Sequence, residues 1–278
     1  MNRLRMALPV SFLLVSLTLP SIGQTSDEYR KESFVPLMQT PAQVSNAPAN
    51  PGERQISGEE LGDLYMARKQ YREAMEQYRS LSDQNPHNAV YLNKLGIALH
   101  QQTALGLALK CYERAVKANP RYADAENNIG TIWYQRKKFS KAVRAYQKAI
   151  KMRDDMPVLY SNLGYAYFSQ GKYDDSIVAF RTALAKDPQF FERGSSRTGS
   201  ILQDRSVPDR GRFYFLLAKS FAEAGNLDRA IFYLRKSKEE GYAQIYEVKK
   251  DPAFAAVLKD PVVIDLLTPP KPVDTAQP

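Results

Sequence analysis

An all-α fold, an α-solenoid of stacked antiparallel helix pairs with capping helices at its C-terminal end, is what this sequence predicts. Three observations predict it. First, the chain repeats itself: LGDLY begins at Leu61, LGIAL at Leu95, IGTIW at Ile129 and LGYAY at Leu163, the same distance apart each time. A fixed period of this size, about 34 residues, marks a stack of supersecondary units. Second, apolar residues inside each unit return at steps of three and four, as with Leu163 and Tyr167, which puts them on one helical face. Third, the second half of each unit keeps the same register. Ala74, Ala108, Ala142 and Ser176 are each followed four residues later by Tyr78, Tyr112, Tyr146 and Phe180. Pro86, Pro120 and Pro188 then close three of the four units, where a proline stops a helix; the third unit has Asp154 there and Pro157 slightly later.

From the N-terminus, residues 1–23 read as a secretory signal peptide: MNRLR is positive, MALPVSFLLVSLTLP is apolar, and SIG precedes Gln24 like a small-residue cleavage site. The apolar stretch is short for a membrane span, and no second one follows, so no transmembrane span is expected in the mature chain. Residues 24–54, rich in Pro, Ser, Asn and Gln without a sustained period, read as a disordered leader. Four units follow at 55–88, 89–122, 123–156 and 157–190. An inserted loop at 191–210 breaks the period before a fifth unit, 211–244, in which LAKSF starts at Leu217 and Ala230 and Leu234 follow. In 245–268, Asp251-Pro252 and Asp260-Pro261 each look like an N-cap with proline at the first helical position, giving two short capping helices. Residues 269–278 form a loose tail.

Glycine in a helix costs roughly 1 kcal/mol against alanine, so Gly62, Gly96, Gly130 and Gly164 in register need a reason. The expected one is close packing against Ala74, Ala108 and Ala142 of the partner helix, with the aromatics filling the space between neighbouring pairs. The pattern L/I-G-x-x-Y/W/L, then A-x-x-x-Y/F, then P, returning at this period, resembles the tetratricopeptide repeat (TPR) family, of an exported bacterial type, over about three fifths of the chain. That resemblance implies a right-handed superhelix with first helices lining a concave groove and second helices on the convex side. It also implies a module for interaction with other proteins.

The sequence offers little to a catalyst. Its two histidines, His87 and His100, form no ligand pair, and Cys111 is the only cysteine, which excludes an internal disulfide. Cys111 reads as a small buried thiol, His87 as a solvated turn residue, and Glu59-Glu60 and Asp174-Asp175 as helix-start acids that complement the helix dipole. No metal site, cofactor or enzymatic activity is expected.

The groove is therefore the expected site. Carried from the family frame, its partner-binding residues are Asn93, Lys94, Ile97 and His100; Asn128, Thr131 and Tyr134; and Asn162, Tyr165 and Phe168. Asn127 and Ser161 share the same wall, and Glu59, Glu60, Asp63 and Met66 line it in the first unit, with Arg212, Lys219 and Glu223 in the fifth. Asparagines there can hydrogen-bond an extended peptide, and the acids of the first unit have the wrong sign for clamping an acidic C-terminus. The expected function is an exported, non-catalytic scaffold that binds a peptide or protein segment in cell-envelope or secretion assembly.

A second reading starts from the net charge of +9, which falls to about +7 without Arg3 and Arg5. RKKFSKAVRAYQKAIKMR, residues 136–153, contains no acid. At about 100° per residue Lys137, Lys141, Arg144, Lys148 and Lys151 share an arc of roughly 80°, opposite Phe139, Ala142, Val143, Tyr146, Ala149 and Ile150. This is first the solvated convex face of a helix, and second a contact for an anionic polymer or membrane surface. Export argues against nucleic acid.

Overall fold

Helix pairs follow one another through the computed structural model, which describes residues 56–191 and 209–269. The expected signal peptide, the leader, residues 192–208 of the insertion and all but the first residue of the tail lie outside the described residues. Within them are eleven α-helices and no strand. The first pair is α1 (Gly58–Ala67) and α2 (Tyr71–Gln84), the second α3 (Ala89–Gln101) and α4 (Leu105–Ala118). Next come α5 (Ala123–Gln135) with α6 (Phe139–Met152), and α7 (Pro157–Ser169) with α8 (Tyr173–Lys186). Past the insertion, α9 (Arg210–Glu223) pairs with α10 (Leu227–Glu239), and the short α11 (Pro261–Leu266) follows two 3-10 turns. Each helix packs on its pair partner and each second helix on the next first helix, the arrangement of an α-solenoid.

Local chemistry sets the ends. Ser57 and Glu60 cap α1 reciprocally, the Ser57 side chain accepting from the Glu60 backbone N–H and Glu60 from that of Ser57. Glu60 is therefore a cap rather than part of the groove wall. Asn88 caps α3, and Pro157 stands in the first turn of α7. Each turn inside a pair needs one residue in the left-handed region. In the last two units this is glycine, Gly171 and Gly225 at φ 74° and 79°; in the first three it is Lys69, Thr103 and Lys137 at 60°, 61° and 56°. Lys137 thus lies in the turn before α6, ahead of the helix that carries the other basic residues.

The second helices end just ahead of the predicted prolines, on capping residues with extended backbone such as Asn119 (φ −135°, ψ 98°) and Asp187 (φ −147°, ψ 99°). Arg153 adopts the same conformation before Asp154, so the stop does not require the proline itself. The fifth unit ends instead on Gly241 at φ 75°.

The in-register glycines have a different partner from the one expected. A Cβ on Gly62, Gly96, Gly130 or Gly164 would stand 2.5 or 2.6 Å from a ring carbon of Tyr78, Tyr112, Tyr146 or Phe180. These rings lie over the glycine of their own pair, not between pairs, and all four are buried. In the fifth unit both sides change together: Ala218 replaces the glycine and Leu234 the aromatic ring, and both are fully buried. At the C-terminal end, the Asp251 and Asp260 side chains accept from the Ala253 and Val262 backbone N–H groups, as the Asp-Pro pairs predict. Phe254, Val257, Val263, Leu266 and Leu267 are buried there, with Phe254 against Phe215 of α9. The first capping segment is a 3-10 turn, Pro252–Phe254, preceded by a second such turn, Ile245–Lys249.

Candidate partner-binding groove

First helices of neighbouring units touch directly, α3 with α5 and α5 with α7, more than second helices do, which places them on the inner side of the stack. Their inward residues are joined by two polar ladders. At the start of the helices, Lys94 Nζ donates to Glu59 Oε1 at 2.8 Å, Asn128 Nδ2 to Asn93 Oδ1 at 2.9 Å, and Asn162 Nδ2 to Asn127 Oδ1 at 2.9 Å. Two helical turns further on, about 10.5 Å along the helix, His100 Nε2 donates to Gln135 Oε1 at 2.9 Å, and the Tyr134 and Ser169 hydroxyls pair at 2.9 Å. Every rung joins residues 35 apart in sequence, so a residue reaches one position past its equivalent in the next unit. Each neutral rung stabilises the stack by about 1 kcal/mol, and breaking one would leave a buried group unpaired.

Between the ladders the buried aromatic rings reach through the glycine notch to the inner wall. Tyr78 Oη donates to Asp63 Oδ1 at 2.6 Å and Tyr146 Oη to Thr131 Oγ1 at 3.3 Å. Where this position is Ile97, the Tyr112 hydroxyl turns to His100 Nδ1 at 3.4 Å. Where it is Tyr165, the second-helix ring is Phe180, which has no hydroxyl and meets Tyr165 edge-on at 5.4 Å.

The sequence-predicted residues do share this inner wall, but their exposure differs from expectation. Lys94 and Ile97 are half-buried, whereas Asn93, His100, Asn128, Thr131, Tyr134, Asn162, Tyr165 and Phe168 are buried. The amides expected to face a ligand also bridge helices, each through one of its two polar atoms. Lys94 is neutralised by Glu59 and Asp63: burial works against its charge, but the two carboxylates raise its pKa above the ordinary lysine value. In the fifth unit Lys219 pairs with Asp251 at 2.7 Å and Glu223 with Arg181 at 2.8 Å, while Arg212 donates to Tyr173 Oη at 2.6 Å.

Some hydrogen-bonding capacity is left over. Asn128 keeps its Oδ1, and Asn127 its Nδ2 amino group, without a partner among the described residues, so adjacent residues offer one acceptor and one donor. Ser161 Oγ is buried with no partner among them. It occupies the ladder position of Glu59, Asn93 and Asn127, and the next rung would fall on Leu216, which cannot hydrogen-bond.

Burial pushes the Cys111 thiol up and holds His100 below the usual histidine range; its ring makes one donating and one accepting bond, as a neutral imidazole does. His87 is exposed. No group of three or more His, Cys, Asp or Glu side chains among the described residues could hold a metal ion, and none of the described helices is long and apolar enough to cross a membrane. On the opposite side of the stack Lys137, Lys141, Arg144, Lys148 and Lys151 are all exposed. Lys141 lies 4.4 Å from the Trp133 ring centroid, and Lys148 reaches the buried Glu126 at 3.5 Å.

Comparison with solved structures finds a MamA crystal structure at 21% identity and a TM-score of 0.46, covering 66% of this chain and 96% of that one. MamA from Desulfovibrio magneticus RS-1 matches at 16% identity and 0.46, over 67% of this chain and 94% of that one. YrrB, titled a TPR protein with an unusual peptide-binding site, matches at 14% and 0.44, over 70% and 91%. No curated protein matches the chain by sequence. Four family models match: tetratricopeptide repeat at residues 59–121, 157–190 and 211–239, and TPR repeat at 130–171. Together they span more than half of the sequence, across the stretch its own periodicity marks out, and the chain is built of tetratricopeptide repeats over that stretch.

Proposed function

We propose that this protein is a non-catalytic scaffold that holds an extended peptide or protein segment along the inner wall of its first helices. The observation that carries the reading is the pair of leftover amide functions on α5, the Asn128 acceptor and the Asn127 donor, beside the half-buried Lys94 and Ile97. A peptide backbone presents alternating N–H and C=O groups, and an acceptor and donor on one rigid helix match it without demanding a particular side chain. The ladders hold these amides in place, so little side-chain entropy is lost on binding. With Lys94 already paired to two carboxylates, the wall suits a neutral or weakly basic segment better than an acidic one. The charged–apolar–small order of residues 1–23 supports a place in the cell envelope, in an assembly or secretion role.

Site-specific photo-crosslinking in cells tests the reading. A benzophenone amino acid at Ile97 should give a discrete protein adduct that weakens at least tenfold in an Asn128→Ala background, while the same probe at the exposed Val178 should not. An adduct from Val178 alone, or an Ile97 adduct indifferent to Asn128→Ala, would remove the groove from consideration.

A further inference from the structure

The basic run of α6 is half of a larger field. Equivalent positions of the second and third units carry cations in register: Lys110 with Arg144, Arg114 with Lys148, and Lys117 with Lys151, each pair one repeat apart and all six exposed. In each helix the three lie at spacings of four and three, one face of about two turns. Glu113 is the only acid within α4, and α6 has none. Lys148 is held by Glu126, whereas Lys110, Arg114, Lys117, Arg144 and Lys151 have no carboxylate partner among the described residues. Both edges of the field are sharp. On α2 the equivalents of Lys110 and Lys117 are Glu76 and Asp83, and on α8 the equivalents of Arg144 and Lys148 are Val178 and Thr182. Leu107 and Val178, 46% and 52% exposed, stand on the two flanks.

We propose that this face of α4 and α6 docks on an anionic lipid bilayer. A field two helices wide, on the outer side of a curved stack, matches the strip along which a convex body meets a plane. A polyanionic chain, by contrast, would be tracked by cations continuing over successive units, and here they stop after two. Long lysine and arginine side chains reach lipid phosphates without fixed geometry, each strengthening binding severalfold within a Debye length of the surface. Leu107 and Val178 are placed to enter the headgroup boundary beside them. The docking face lies opposite the inner wall, so a bound partner would remain accessible.

Flotation of the full chain with vesicles of about 30% phosphatidylglycerol in phosphatidylcholine, against phosphatidylcholine alone, reads the proposal. Expected is binding to the anionic vesicles that falls to the neutral-vesicle level between about 50 and about 500 mM salt. The variant Lys110→Glu/Arg114→Glu/Arg144→Glu/Lys151→Glu, which spares the Lys148–Glu126 pair, should lose at least about a hundredfold of the salt-sensitive binding. Its circular dichroism should be unchanged, because all four side chains are exposed. Equal binding to both vesicle types, or a folded variant that binds as the native chain does, overturns the proposal. So does capture by a soluble polyglutamate peptide at a salt concentration where the anionic vesicles do not bind, which would assign the field to an acidic protein. Asn128→Ala should leave flotation unchanged, so this proposal and the groove reading fail separately.

Discussion

Replacing Gly130 by alanine sets two magnitudes against each other. In an unconstrained helix the change is stabilising by roughly 1 kcal/mol, because glycine loses more backbone freedom on folding. At Gly130 the added Cβ would stand 2.5, 2.7 and 3.0 Å from Cε1, Cδ1 and Cζ of Tyr146, where carbon atoms prefer about 3.5–4.0 Å. The ring must move by about 1 Å to restore that separation, yet it is fully buried and its hydroxyl donates to Thr131. Such overpacking costs about 1–3 kcal/mol, and an immobile ring edge puts the cost near the top of that range. Gly130→Ala is therefore expected to destabilise by about 2 kcal/mol net. Gly58→Ala is the internal control: its Cβ would meet Leu81 at an ordinary 3.5 Å, so it should be neutral or stabilising. The fifth unit supplies the rescue, since Ala218 stands there together with Leu234. Tyr146→Leu alone should cost about 2–4 kcal/mol, and the double variant should fall short of the sum by at least about 1 kcal/mol. Urea unfolding followed by far-ultraviolet circular dichroism gives the global value. Trp133, the only tryptophan and on the same helix, reports the third unit. A raised midpoint for Gly130→Ala, or strict additivity in the double variant, would refute the close-approach account.

Two further outcomes follow from the polar interior. Burial depresses the His100 pKa below its unfolded value of about 6.5, so below that pH the unfolded chain binds more protons than the folded one. Stability should fall by up to about 1.4 kcal/mol per pH unit from there down to the folded pKa; His100→Gln should flatten that segment of a stability-against-pH series, and an unchanged slope would show that another group carries it. Ser161→Ala should raise stability by about 1 kcal/mol, because it removes a buried hydroxyl with no partner among the described residues; a lowered denaturation midpoint would mean that the hydroxyl has a partner after all.

The helix pairs were legible because period and apolar spacing agree through the first four units, with a proline breaker closing three of them, and the Asp251 and Asp260 caps because Asp-Pro has a local mechanism that needs no tertiary context. The inner wall was less legible, for a reason that lies in the alignment itself. Comparing units at their repeat period puts Asn128 above Asn162 and makes a column of like residues. The contacts run one position further, from Asn93 to Asn128 and from Asn127 to Asn162, so the column shows two members of different rungs. Residues expected to meet a ligand are thereby the ones that join the units. The glycine column suggests alanine as its neighbour for a similar reason. Its true neighbour is the ring one turn beyond that alanine on the same partner helix, as Tyr112 is for Gly96. The basic face was legible on α6, where no acid interrupts it, and missed on α4, where Glu113 breaks the run in sequence but leaves the three cations in register.

The ladders also separate two kinds of joint in the stack. Between the first four units the connections are short, and each joint carries directional hydrogen bonds that a slip of one residue would break, so polar rungs fix register where successive helices repeat almost the same apolar surface. The joint after the fourth unit follows the insertion and has no continuing rung among the described residues, since Ser161 faces the position of Leu216. Its place is taken by a cluster of rings in which Phe213 stacks on Tyr165 at 5.3 Å and meets Phe168 and Phe180 edge-on at 5.6 and 5.8 Å. Those rings are distinctive in shape as well as apolar, so they can specify one docking of the fifth unit without amides. Donor and acceptor edges are thereby left to the third unit, at Asn127 and Asn128. The stretch of wall best able to hold a peptide backbone is thus the one flanked on both sides by joints of fixed register, where a bound segment would meet a preorganised surface.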